Sequence, residues 1–151
     1  MPVRFLGHAV LKVRNRGRAE AFYHDVLGLP VAARSDELRM TFFTLGRHHD
    51  LAILEVGEDA PGADPRGVGL FHVAFNVGDT LDDLRAMKAR LDAHGITIQR
   101  TADHKVSCSL YVNDPDGNGI ELYVDTSEAW RQDPSLVASR LPLAQIGRAH
   151  V

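Results

Sequence analysis

Short stretches of alternating apolar and polar residues recur along this chain, and they come in two matching sets. In Gly7-His8-Ala9-Val10-Leu11-Lys12-Val13 the apolar Ala9, Leu11 and Val13 fall on one face. In Phe71-His72-Val73-Ala74-Phe75-Asn76-Val77 the residues Val73, Phe75 and Val77 do the same, and a histidine opens each stretch. A period of two is the signature of a half-buried strand. A helix is predicted after each. The first covers residues 18–27, with Ala19, Phe22, Tyr23 and Val26 at helical spacing and Gly28 as its stop. The second covers residues 80–94, with Leu81, Leu84, Met87, Ala89 and Leu91 as its stripe. Thr80 is its N-cap, Asp82 and Asp83 suit the positive end of the helix dipole, and Gly95 ends it.

Three further strands are predicted after each helix, at residues 30–34, 39–45 and 50–56, then at 97–100, 106–113 and 119–124. Both halves read βαβββ. The expected fold is α+β, a single domain of two tandem modules (residues 4–56 and 69–125) that forms an open, curled mixed β-sheet barrel with helices outside. Residues 57–68, rich in Gly, Asp and Pro, are the linker. Residues 126–151 lie outside the repeat. There Ser127 to Trp130 begins like a capped helix, and Val137, Leu141, Leu143 and Ile146 need covering, against the pocket or a second subunit. A homodimer is the expected assembly.

Composition narrows the classes. The 151 residues are 44% hydrophobic and 25% charged, as in an ordinary soluble protein. A net charge of −3 without a basic block argues against nucleic acid as a partner. No apolar run reaches the roughly 20 residues that span a bilayer, so no membrane role is expected. The single Cys108 falls on a predicted core strand, which suits a reducing cytoplasm.

The chemistry concentrates between His104 and Glu121. Ser107, Ser109 and Tyr111 share one face of a strand, Asp114-Pro115-Asp116-Gly117 makes a turn, and Glu121 follows on the next strand. Val106, Cys108, Leu110 and Val112 face the other way. An inward carboxylate on an apolar strand needs a partner, and a metal ion is the obvious one. The duplication places His8 and His72 at equivalent positions, and Glu121 on the last strand of the second module points to the same cavity. Two imidazoles and one carboxylate with open positions opposite is the donor set of non-haem Fe(II) oxygenases, whose open face takes substrate and dioxygen together.

The segment also resembles a known family. His104, Leu110-Tyr111, Asp114-Pro115-Asp116-Gly117 and Glu121 match the signature of type I extradiol catechol dioxygenases, within the vicinal-oxygen-chelate superfamily, although Ala102 departs from the usual set. The resemblance covers nearly the whole length to Asp125. It implies an Fe(II)-dependent (or Mn(II)-dependent) meta ring-cleaving enzyme that uses dioxygen on a small aromatic diol. It implies His8, His72 and Glu121 as metal ligands, and an acid-base histidine in Arg47-His48-His49-Asp50-Leu51-Ala52. His49 is the first choice for that role and His48 the competing one. On a strand the two would face opposite sides, and only one would reach the cavity. Tyr111 would aim its hydroxyl at a metal-bound oxygen and His104 would hydrogen-bond the substrate. Val10, Phe43, Ala74 and the linker are expected walls of the pocket. His24 and His94 are expected to be surface or capping groups, and His150 lies in the tail.

Two rivals remain from the same fold. A glyoxalase-like lyase or isomerase with Zn(II) or Ni(II) needs a fourth protein ligand, for which Glu55 is the candidate. Matching the copies puts Ile53 or Leu54, not Glu55, at the position of Glu121. A drug-binding resistance protein needs no metal triad at all.

Overall fold

The computed structural model describes residues 2–141. Its chain divides into two compact units. One runs up to Gly67 and also takes in the turn Asp114–Gly117; the other holds Val68–Asn113 and the described residues from Asn118 to Leu141. Both are built as βαβββ, and the fold is α+β.

In the first unit β1 (Ala9–Val13) is followed by α1 (Arg16–Glu20), then by β2 (Val31–Ser35), β3 (Met40–Phe43) and β4 (Leu51–Glu55). The sheet order is β1-β4-β3-β2, with β1 and β4 parallel and the remaining pairs antiparallel. The helix begins earlier than its apolar spacing predicts, because the Asn15 side chain accepts from the Arg18 N–H and caps it. It then widens into a π-helical segment, Ala21–Val26, in which the Leu27 N–H reaches back five residues to the Phe22 carbonyl at 3.0 Å. The adjacent aromatics Phe22 and Tyr23 are thereby both buried. Gly28 stops the segment with a φ of 83° that a side chain would oppose.

The second unit repeats the plan with β5 (Val73–Asn76), α2 (Leu81–Ala93), β6 (Arg100–Asp103), β7 (Ser107–Asn113) and β8 (Gly119–Asp125), in the order β5-β8-β7-β6. Again the first and last strands are parallel. α2 carries the full capping box: the Asp83 N–H donates to Thr80 Oγ1, and the Thr80 N–H donates to the Asp83 carboxylate. Leu84 and Leu91 bury its inner face, while Leu81 and Ala89 of the expected stripe are exposed. β6 lies three residues later than predicted. Thr97 to Arg100 alternates well enough for a strand, but the antiparallel ladder with β7 pairs Arg100 with Tyr111 and Asp103 with Cys108.

Each sheet has one apolar face, carrying Leu11, Val13, Leu51, Ile53 and Phe43 in the first unit and Leu110, Val112, Ile120, Leu122 and Val124 in the second. Cys108 is a buried free thiol on that second face. Phe43 is fully buried against Tyr23, on the face opposite His8, so it is not a pocket wall as expected. Phe42, next to it, takes the open face. After β8 the chain makes two 3-10 turns, Ala129–Arg131 and Pro134–Ala138, in place of the expected helix. It then returns to β6, where Asp103 and Leu141 exchange backbone hydrogen bonds of 2.9 and 2.7 Å. Leu143, Ile146 and His150 fall outside the described residues. Among the described residues no helix is long and apolar enough to cross a membrane.

Candidate metal centre

The open face of the second sheet collects the polar side chains. His72 stands immediately before β5, and Glu121 on β8 is two positions along the parallel register, opposite Ala74. Parallel partners share a face, and His72 Nε2 lies 2.9 Å from Glu121 Oε2. Gly119 makes the approach possible: a Cβ there would meet the Phe71 carbonyl oxygen at 2.5 Å and the His72 Cβ at 3.3 Å. Tyr111 pairs with Glu121 across the antiparallel ladder, and Ser109 lies two residues before it.

Glu121 is held from one side. Ser109 Oγ donates to Oε1 at 2.6 Å and Tyr111 Oη to the same oxygen at 2.9 Å. Oε2 is left facing His72. Burial and the Glu121 carboxylate raise the Tyr111 pKa above the ordinary phenol value, so the hydroxyl keeps its proton as a donor. His104 lies behind it, with Nε2 2.8 Å from Tyr111 Oη and Nδ1 2.8 Å from the Ser139 carbonyl. Both nitrogens of His104 are therefore occupied within the protein. The carbonyl can only accept, so a neutral His104 donates from Nδ1 and accepts at Nε2. Tyr111, with one proton, then serves either His104 or Glu121. The Ser139 contact spans 35 residues and belongs to the segment outside the repeat, where no sequence signal marked it.

The pair fits a metal. Two donors about 2.1 Å from one ion and at right angles to each other lie about 3 Å apart, close to the separation of His72 and Glu121. His72 Nδ1 is buried without a hydrogen-bond partner, so the ring's polar engagement is through Nε2. One imidazole nitrogen and one carboxylate oxygen suit Fe(II), Mn(II), Zn(II) and Ni(II) alike.

His8 holds the same place in the first unit, immediately before β1. Its surroundings differ. The register pairs Val10 with Ala52 and Phe42 with Ala52, just as Ala74 and Tyr111 both pair with Glu121. The counterpart of Glu121 is therefore Ala52, rather than Ile53 or Leu54, and it is fully buried. Glu55 pairs with Val13 on the opposite face. Its carboxylate accepts from the Arg16 N–H at 2.8 Å and is bound by Arg39 at 2.6 Å. Glu55 is thus spent on α1 and a surface ion pair, away from His8.

The acid-base candidates join His8 by another route. His48 and His49 lie in the loop between β3 and β4 and not on a strand, so the opposite-face rule does not separate them. A nitrogen of each ring comes within 4.8 Å of the others and of His8. Ring centroids lie 4.0 Å apart for His8 and His49 and 6.0 Å for His8 and His48. Asp50 ties the loop down, accepting from the Leu45 N–H at 2.6 Å and from Arg47 at 2.8 Å, contacts that hold its carboxyl below the usual range. Partial burial, then His8 and His48, lower the His49 pKa, with Asp50 opposing. His24 Nδ1 faces the Leu29 carbonyl at 2.8 Å and His94 is the C-cap of α2, both structural roles.

Residues 5–122 match the sequence profile of the Glyoxalase/Bleomycin resistance protein/Dioxygenase superfamily. The chain belongs to this superfamily. Among its relatives, catechol-2,3-dioxygenase of Bacillus subtilis (strain 168) is 39% identical over 130 residues, which cover 85% of this chain and 44% of that protein. Biphenyl-2,3-diol 1,2-dioxygenase 3 of Rhodococcus globerulus is 37% identical over 122 residues, covering 80% of this chain and 63% of the relative. The chain thus spans less than two thirds of either. The crystal structure of lactoylglutathione lyase from Agrobacterium tumefaciens superimposes with a TM-score of 0.64 at 26% identity, covering 82% of this chain and 95% of that one. Two dioxygenases and a lactoylglutathione lyase thus all resemble the chain.

Proposed function

We propose that the protein is an Fe(II)-dependent extradiol ring-cleavage dioxygenase acting on a catechol-type aromatic diol, with His8, His72 and Glu121 as the metal donors. The observation that carries the reading is Ala52. A duplicated fold supplies one histidine from each copy, and the carboxylate at the Glu121 position is missing from the first copy. Three protein donors leave neighbouring positions free for a chelating diol and dioxygen, which a four-donor set does not. The identities to two diol dioxygenases support the same choice.

The bound ion supplies Lewis acidity and a path for electrons between an electron-rich ring and dioxygen. The chain's own residues do the rest. Ser109 and Tyr111 fix Glu121 Oε1, which leaves Oε2 beside His72 Nε2, where the two would hold a bound ion. His104 Nε2, 2.8 Å from the Tyr111 hydroxyl, competes with Glu121 for its proton. His49, kept neutral by its lowered pKa, accepts a proton from a diol hydroxyl and returns it when the ring opens. His48 competes for that role, since its ring reaches the same cluster.

The test is anaerobic loading with Fe(II), followed by simple catechols in air. A yellow ring-cleavage product with one iron per chain is expected. In the His49→Phe variant, iron is retained and turnover lost. A lyase or isomerase is favoured instead if Zn(II) or Ni(II), and not iron, gives an active protein. A drug-binding role is favoured if ligand binding survives complete removal of metal.

A further inference from the structure

Arg100 is unlike the other well-placed arginines of this chain. Arg16, Arg34, Arg39 and Arg47 each meet a carboxylate. Arg100, half-buried at the start of β6, has no ion pair among the described residues. It pairs in register with Tyr111 and sets its guanidinium over that ring, the central carbon 3.6 Å from the centroid. Among the described residues its N–H groups, the fork that recognises carboxylates, meet no acceptor.

The surroundings suit an anionic visitor. A cleft of about 240 Å³ is lined by Phe71, His72, Arg100, Tyr111 and Asn113, among others, and no acidic side chain lines it. It therefore adjoins His72 and the tyrosine that holds Glu121. The fold does not demand an arginine here. In the first unit the equivalent strand position, paired with Phe42 as Arg100 is paired with Tyr111, is Ala33. An edge-strand arginine serving only solubility would extend into water. This one is folded over the polar face of the sheet, beside the candidate metal donors.

We propose that Arg100 binds a carboxylate on the substrate, so that the enzyme selects aromatic diols bearing an acidic side chain over neutral catechols. The inference rests on the dioxygenase reading for the diol and on Arg100 for the acid. The small cleft favours a single ring with a short acidic arm, since pockets for larger ligands start near 300 Å³. Carboxylate recognition here is a bidentate, charge-assisted contact made in a partly desolvated site, where it discriminates best.

Two measurements separate the inference from the reading beneath it. The first compares kcat/KM for 3,4-dihydroxyphenylacetate and for its methyl ester, in the wild type and in Arg100→Gln and Arg100→Lys. The wild type is expected to prefer the acid, and Arg100→Gln to reduce the acid-to-ester ratio by about tenfold or more, mainly through KM, with Arg100→Lys between the two. The second measures calorimetric binding of phenylacetate, which has no diol, to the same proteins. Its affinity is expected to fall in Arg100→Gln by the same factor. If diols are cleaved but both the ratio and phenylacetate affinity ignore Arg100, the inference is overturned and the dioxygenase stands. If no diol is cleaved but phenylacetate binding depends on Arg100, the dioxygenase reading falls and the acid site stands.

Discussion

Tyr23 is the residue on which the first unit's core closes. Its ring is fully buried beside Phe22 and Phe43, and its hydroxyl donates to the buried Asp114 at 2.8 Å. Burial first, and the Asp114 charge second, push its pKa well above the phenol value. A raised folded-state pKa means that stability is fully present below the unfolded value of about 10 and is lost as pH climbs past it. Denaturant melts at pH 8 and above pH 10 should therefore show an alkaline fall, part of which disappears in Tyr23→Phe. At pH 8 that variant should lose about 1–3 kcal/mol, because a buried carboxylate forfeits a donor. Glu55 gives the complementary prediction. Glu55→Gln should lower the melting temperature by breaking its contacts with Arg16 and Arg39, while metal content and ring cleavage stay at wild-type levels. Loss of metal in that variant would restore Glu55 as a fourth ligand and end the three-donor reading.

At the scale of elements, small features of the chain decide where a strand or helix can lie. Gly119→Ala would drive a methyl group against the Phe71 carbonyl, which is backbone and has no rotamer to yield. The segment bearing Phe71 and His72 must shift, so metal affinity is expected to fall even where the variant folds; titration with Fe(II) or Co(II) measures it. Thr80→Ala removes half of the α2 capping box, at a cost of about 1 kcal/mol in denaturant unfolding. Asp83 accepts from Thr80 Oγ1 and from the Thr80 and Asp79 N–H groups, which lowers its pKa. Its contribution is thus present above the unfolded value of about 3.9 and fades as pH falls through the depressed one. The Thr80 cap was legible in the sequence, as were the two βαβββ halves, because alternation and capping are local; the reciprocal contact from Asp83 came only with the structure. β6 was displaced because its ladder partner on β7, not its own pattern, sets its limits. The π-helical widening of the first helix was invisible for a similar reason: it answers the burial of two adjacent aromatics, which no helical period reveals. Of the candidate site, Ser109, Tyr111 and Glu121 could be read on one face of a hairpin. The return of the chain that brings Ser139 to His104 could not, since nothing local relates residues so far apart.

For the whole molecule the decisive matter is which donors share an ion, because the chain offers two sets that both include histidine. His8, His48 and His49 form an all-nitrogen cluster within the first unit. The proposed set takes His8 with His72 and Glu121 of the second. Imidazoles alone favour Zn(II) or Cu(II), whereas a carboxylate in the set suits Fe(II). The proposed set requires one iron per chain in the wild type. His8→Ala, His72→Ala and Glu121→Gln should each weaken iron binding by more than the roughly 10–100-fold expected for loss of a mere supporting partner. In the alternative, Glu121→Gln binds metal as well as the wild type and His48→Ala does not. Stability gives a second reading of the same variants. Iron at 100 times its dissociation constant should add about 2.7 kcal/mol to the wild type, seen as a rise in melting temperature that chelation reverses. That rise should vanish in Glu121→Gln and in His8→Ala alike, because each variant removes one of the three proposed donors and with it the affinity that couples iron to folding.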